Sequence, residues 1–258
     1  FTPAGLPGVE LGASRFFHVP WPDGGPGVDE FLKPFEGITK ASLDSSSVGG
    51  DEHWSPDNQL ASIFARLVLP RAGAEFYAEY AREDHNWDVL DLTLQPDHEA
   101  GYTLGARKAW ARGPHRLLLL RAELVNTQRS HIIITRKQPL WNVHGGTKTG
   151  HTLRGQLLGA PMGFGGGGSV VGVDLYHPAG RWTLEWTRAR MGDRWDYWQT
   201  GETEPRSTDV MHTLSAGALF FRGAVDLSAG VAGTANLNRH HQSDVYNLNA
   251  FLSIRVGT

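Results

Sequence analysis

LLLLRAEL, residues Leu117 to Leu124, and SVVGVDLY, residues Ser169 to Tyr176, decide the fold together with what separates them. In the first, Leu118, Leu120, Ala122 and Leu124 alternate with Leu119, Arg121 and Glu123, so one face of a strand is apolar and the other carries charge. In the second, Val171, Val173 and Leu175 stand opposite Gly172, Asp174 and Tyr176. Between the two strands lie roughly 40 residues, against the 2 to 5 of an ordinary hairpin loop. They include HGGTKTGHTLRGQLLGAPMGFGGGGS, His144 to Ser169. A connection of that length in a strand-rich chain points to function.

The same alternation runs outward in both directions. Upstream, Val9, Leu11 and Ala13 define a first strand, and Ala61, Ile63, Ala65, Leu67 and Leu69 a second that ends in the tight turn PRAG, Pro70 to Gly73. Phe76, Ala78 and Tyr80 follow on a third strand, and Tyr102, Leu104 and Ala106 on a fourth. Downstream, Trp182, Leu184 and Trp186 mark the seventh strand and Leu214, Ala216, Ala218 and Phe220 the eighth. Val225, Leu227, Ala229 and Val231 mark the ninth, and Tyr246, Leu248, Ala250, Leu252, Ile254 and Val256 the last.

Connections alternate long and short through about ten strands, each of roughly the 9 to 11 residues that cross a bilayer. This pattern predicts an all-β fold, an antiparallel transmembrane β-barrel with short turns on one side and long loops on the other. Tyr80, Tyr102 and Tyr246 fall near the loop ends of the apolar faces, and Trp110, Trp182 and Phe220 near the turns, as two interfacial girdles require. A soluble β-sandwich is the competing reading of the same strands.

Composition narrows the classes. The chain has 258 residues, a formal charge of -3 and no Cys, which excludes disulfide and thiolate chemistry and gives no basic footprint for nucleic acid. No apolar run approaches the ~20 residues of a transmembrane helix. The chain opens at Phe1 without a signal segment, so it reads as mature or truncated, lacking an N-terminal part.

Charges on the polar faces come in both signs: Glu75, Arg107, Arg121, Glu123, Asp174 and Glu185 form an expected lumen network, because isolated charges are too costly to enclose. Glu75 and Glu79 share one face of one strand, about 13 Å apart along the backbone. That is too far for a glycosidase pair. No catalytic residue, metal or cofactor is expected. His144, His151, His240 and His241 lack the spacing of a metal site, and GFGGGG opens a strand instead of a helix, so it is no nucleotide signature. Trp195, Tyr197 and Trp198 in the loop MGDRWDYWQTGETEPRS suit either stacking on sugar rings or pinning that loop to the rim.

FYAEYAREDHNWD (Phe76–Asp88), QPDHEAGYTLGARK (Gln95–Lys108) and GHTLRGQLLGAPMGFGGGGS (Gly150–Ser169), in that order, resemble the Wzi-type capsule assembly family, with continuous similarity from about Leu60 to Tyr176. Members are outer-membrane barrels of Gram-negative envelopes that help attach capsular polysaccharide. The resemblance implies lectin-like binding without catalysis. It points to Glu79, Arg82 and Asp84 in EYARED and to Thr152, Arg154, Gly155 and Gln156 in the long connection. His151, Trp195 and Trp198 complete the candidate glycan contacts.

Ten strands are fewer than family members have, so residues 1–258 are expected to be one barrel domain, the C-terminal portion of a larger barrel. The expected partners are capsular or surface polysaccharide and outer-membrane lipid, with no nucleic acid and a monomeric state. A porin-like channel for small solutes shares the same shell, and a soluble carbohydrate-active enzyme is the third reading.

Overall fold

A computed structural model describes residues 1–18, 24–32, 58–83, 93–130, 141–142, 151–154, 156–191, 209–239 and 243–256. Among these residues there are twelve strands. They are β1 Val9–His18, β2 Asn58–Leu69, β3 Ala74–Glu83, β4 Ala100–Ala111, β5 Leu117–Asn126, β6 Thr152–Leu153, β7 Gln156–Leu157, β8 Gly167–His177, β9 Gly180–Arg190, β10 Val210–Arg222, β11 Val225–Leu237 and β12 Val245–Val256. One short helix, α1 (Val28–Leu32), lies between β1 and β2.

Ten strands form one antiparallel sheet in the order β1-β2-β3-β4-β5-β8-β9-β10-β11-β12, and β6 and β7 make a separate small hairpin. Each long strand pairs with its nearest long neighbour in the chain. The sheet is not closed: β1 and β12 keep free edges among the described residues.

Short turns are built from the residues the turns demand. Pro70 opens a 3-10 turn that ends on Gly73 at φ 58, Gly223 turns β10 into β11 at φ 65, and Gly113 sits at φ 88 in the β4–β5 turn. The long connections all emerge at the opposite end.

Register places the alternation seen in the sequence on two continuous faces. Leu11, Ala65, Ala78, Leu104, Leu124 and Ser169 follow one another across hydrogen-bonded neighbours on one face, and Glu10, Arg66, Tyr77, Gly105, Glu123 and Val170 on the other. The residues of the β5–β8 connection pack on the second face, which is therefore the inner one: His151 meets Phe16, and Trp141 meets Gly101.

The distribution of polarity is inverted relative to a water-soluble fold. Among the described residues only Ala100, Trp141 and Met162 are buried apolar side chains, whereas Arg82, Glu83, Gln95, His98, Glu99 and Asp174 are buried. The outer face exposes Leu184, Leu214, Leu248, Leu252 and Ile254, in long unbroken rows. Soluble monomers do not expose contiguous apolar surface on this scale, and a lipid-facing barrel wall requires it. No helix among the described residues is long and apolar enough to cross a membrane, which has no bearing on strands.

Candidate functional site: a charged inner wall and a packed connection

Every Asp and Glu in the ten long strands, from Glu10 on β1 to Asp226 on β11, falls on the inner face. Glu10, Glu75, Glu83, Glu123, Asp174 and Glu185 have partners there. Arg66 joins Glu10 at 2.9 Å and Glu75 at 3.1 Å, bridging β1, β2 and β3. The Tyr77 hydroxyl donates to Glu123, and the Arg107 guanidinium lies 5.8 Å from the Tyr77 ring centroid.

Arg121 reaches Asp174 at 3.1 Å and Glu185 at 2.7 Å, while Asp174 also accepts from the Thr183 hydroxyl at 2.6 Å and faces Arg181 at 3.7 Å. Asp174 is buried, and these donors satisfy its carboxylate, as enclosure of a charge demands. Glu75, Arg107, Arg121, Glu123, Asp174 and Glu185 each meet a partner on this face. Glu10, Arg66, Tyr77 and Arg181 complete the network, and only the register could show that they face those six.

Above this belt the β5–β8 connection is tied to the wall. The Asn142 backbone N–H donates to both carboxylate oxygens of Glu83, at 2.8 and 2.7 Å. Asn142 itself stands at φ 66, a conformation Asn tolerates better than most residues. Its carbonyl accepts the His151 N–H at 3.0 Å, and the His151 carbonyl accepts the Leu158 N–H at 2.7 Å. Thr127 donates its hydroxyl and its backbone N–H to Gly166. These contacts leave a cavity of about 280 Å³ against the inner wall. Glu79, Thr103, Ser14, Ser62, Trp141 and Asn142 are among its lining.

The candidate glycan residues separate on this frame. Glu79 lines the cavity. Arg82, three positions on, has outer-face parity and is buried beneath the Pro96 carbonyl, 3.4 Å from its Nη1. His151 is 1% exposed and serves packing, its ring 5.3 Å from that of Phe16. Thr152, Arg154 and Gln156 lie on the β6–β7 hairpin, where Arg154 and Gln156 are exposed and Arg154 takes φ 51 in the turn. Asp84, His144, Gly155, Trp195, Trp198, His240 and His241 lie outside the described residues.

Trp141 and Asn142 carry no periodic signal, and their place in the site follows only from the path of the connection. The buried Gln95, His98 and Glu99, close against Arg82 and Glu83, belong to the QPDHEAGY stretch, in which no periodic pattern announces their burial.

No protein-family model and no curated protein sequence matches the chain. A solved structure does: Wzi, an outer membrane protein involved in group 1 capsule assembly in Escherichia coli, described as a carbohydrate binding β-barrel. It superposes with a TM-score of 0.61 at 18% identity, over 98% of this chain and 49% of that one. At this identity the likeness shows the fold, a β-barrel wall. The chain spans about half the length of that structure.

Proposed function

We propose that this protein is an outer-membrane barrel that binds capsular or other surface polysaccharide and holds it at the cell surface, without catalysing a reaction. The observation that carries this reading is the cavity beneath the β5–β8 connection, which sets the Trp141 indole beside a carboxylate, hydroxyls and an amide. An aromatic face with convergent hydrogen-bonding groups is the chemistry that grips a sugar ring. Among the described residues Glu79 is the one carboxylate of that lining, and binding asks for no second, whereas glycoside hydrolysis is normally built on a pair.

The apolar outer face supports the membrane part of the reading, and the fold shared with a carbohydrate binding barrel supports the ligand class. We further take residues 1–258 as the C-terminal portion of a larger barrel. Free edges on β1 and β12 cannot face lipid, because unpaired N–H and C=O groups in hydrocarbon cost several kcal/mol each, and further strands would close them.

The test is the partition of capsular polysaccharide between cell pellet and medium in strains carrying Trp141→Ala or Glu79→Ala in the full-length gene. Polysaccharide made in normal amount and shed into the medium is the expected result. Normal retention in both variants, with single-channel conductance through the reconstituted wild type, overturns it in favour of a channel.

A further inference from the structure

Among the described strand residues, the outer face carries charge of one sign only. With all strand carboxylates inside, the strand Arg and Lys of the outer face are Lys108 and Arg222 near the short turns and Arg15, Arg82, Arg188 and Arg190 near the long loops. Between these two rows the outer face has no ionisable strand residue apart from Tyr. Cross-strand salt bridges do not explain the pattern, since among the described residues every strand acid lies on the other face. Depth in a membrane does: long cationic side chains at the ends of a spanning wall reach the two headgroup layers.

Several of these cations are already engaged. Lys108 donates to the Ala72 carbonyl and Arg15 to Gln59 at 2.9 Å, Arg82 is covered by the β3–β4 connection, and Arg190 donates to Gln128. Arg188 differs. Among the described residues it has no hydrogen bond or ion pair, although it stands in the best-defined interfacial setting of the wall. Its partner across β9 and β10 is His212, whose ring stacks on Trp186 with centroids 5.8 Å apart and planes inclined by 25°. Trp186, two residues below Arg188 on the same face, marks the interface depth, and Arg190 is two residues above.

From this we infer that Arg188, with Arg190 and His212 beside it, seats the phosphate of an anionic glycolipid headgroup in the outer leaflet. The proposal rests on the outer-membrane reading. A guanidinium presents a planar fork that matches phosphate oxygens, no strand carboxylate among the described residues shares this face, and the Trp186–His212 pair lies where the acyl chains begin. Polysaccharide held on the inner face does not reach this surface.

The protein purified in neutral detergent would be titrated with bisphosphorylated lipid A, with lipid A stripped of phosphate, and with inorganic phosphate, reading the temperature at which the heat-modifiable folded band is lost. The bisphosphorylated lipid should raise that temperature, and the other two should not. Arg188→Gln/Arg190→Gln should weaken the apparent affinity at least tenfold, Arg188→Lys/Arg190→Lys should recover part of it, and Lys108→Gln/Arg222→Gln at the opposite rim should respond as wild type.

Equal stabilisation by both lipids, or an unchanged response in Arg188→Gln/Arg190→Gln, overturns the headgroup seat while leaving the barrel in its membrane. Recovery of the wild type from the aqueous fraction without detergent, with neither lipid bound, overturns both readings.

Discussion

Glu83 on β3 and Asn142 in the β5–β8 connection stand 59 residues apart and are joined by a clamp in which one backbone N–H is shared by both carboxylate oxygens. Removing the carboxylate leaves that buried N–H unsatisfied, at a cost of about 1–3 kcal/mol borne by the connection and not by the sheet. Glu83→Ala is therefore expected to make the connection sensitive to protease while the folded band persists in heat-modifiability gels. Unchanged cleavage in the variant removes the clamp from the account.

Asp174 is the buried hub of the inner network, and Glu185 is a half-buried spoke. Asp174→Ala leaves Arg121 with Glu185 alone and takes the carboxylate from Arg181, and the cost of breaking a buried pair, ~3–5 kcal/mol when fully enclosed, is reduced here because Arg121 is 31% exposed and keeps that second partner. An expected loss of about 2 kcal/mol, read as a lower urea midpoint in detergent, should exceed that of Glu185→Gln, expected within about 1 kcal/mol. Equal losses would mean that burial does not set the hierarchy.

Gly105 on β4 lies directly beneath the Tyr77 ring, so that any side chain there occupies the ring's place. Gly105→Val should displace Tyr77 and break its bond to Glu123, lowering stability by roughly 1–3 kcal/mol as overpacking does. Tyr77→Ala/Gly105→Val should recover part of the loss. Failure of the double variant to improve on the single one sinks the steric explanation.

Leu184 is outward-facing in the middle of β9 and 52% exposed in the bare chain. In water Leu184→Arg would be nearly neutral, but facing hydrocarbon it should cost ~2–4 kcal/mol. Folding yield into lipid vesicles against urea separates the two, and a neutral result argues for a solvated face.

Arg154 occupies the β6–β7 turn at φ 51, where glycine is the replacement that keeps the backbone relaxed. Arg154→Gly should shed polysaccharide into the medium while leaving stability unchanged or slightly higher. Retention equal to wild type would show that this exposed guanidinium does not touch glycan.

The strands and their parity were legible because each repeats a two-residue period over at least five positions, and the register pairs keep the inward and outward sets on separate faces. Pro70, Gly113 and Gly223 announced their turns through local backbone chemistry. The lumen network was readable as a set of charges, but its pairings depended on register: Arg66 meets Glu75 because Val68, and not Arg66, is the cross-strand partner of Glu75.

The site was the least legible part. EYARED reads as one motif, yet the period-2 alternation puts Glu79 in the cavity and Arg82 on the opposite face. Trp141, Asn142 and His151 are placed by long-range contacts of the connection, for which no local pattern exists.

The nearest-neighbour order of the sheet has a kinetic consequence. Four of its nine junctions are tight turns, so those hairpins can form early with little loop-closure entropy, and the low contact order of such pairs favours speed. Bringing β5 to β8 requires closing about 40 residues, an entropic cost greater by about 2 kcal/mol than for a four-residue turn. The β1–β2 connection, residues 19–57, carries a similar cost, so these two junctions are expected to be the slow steps of assembly, with the cavity that residues of β1, β2 and the β5–β8 connection line the last part to be completed.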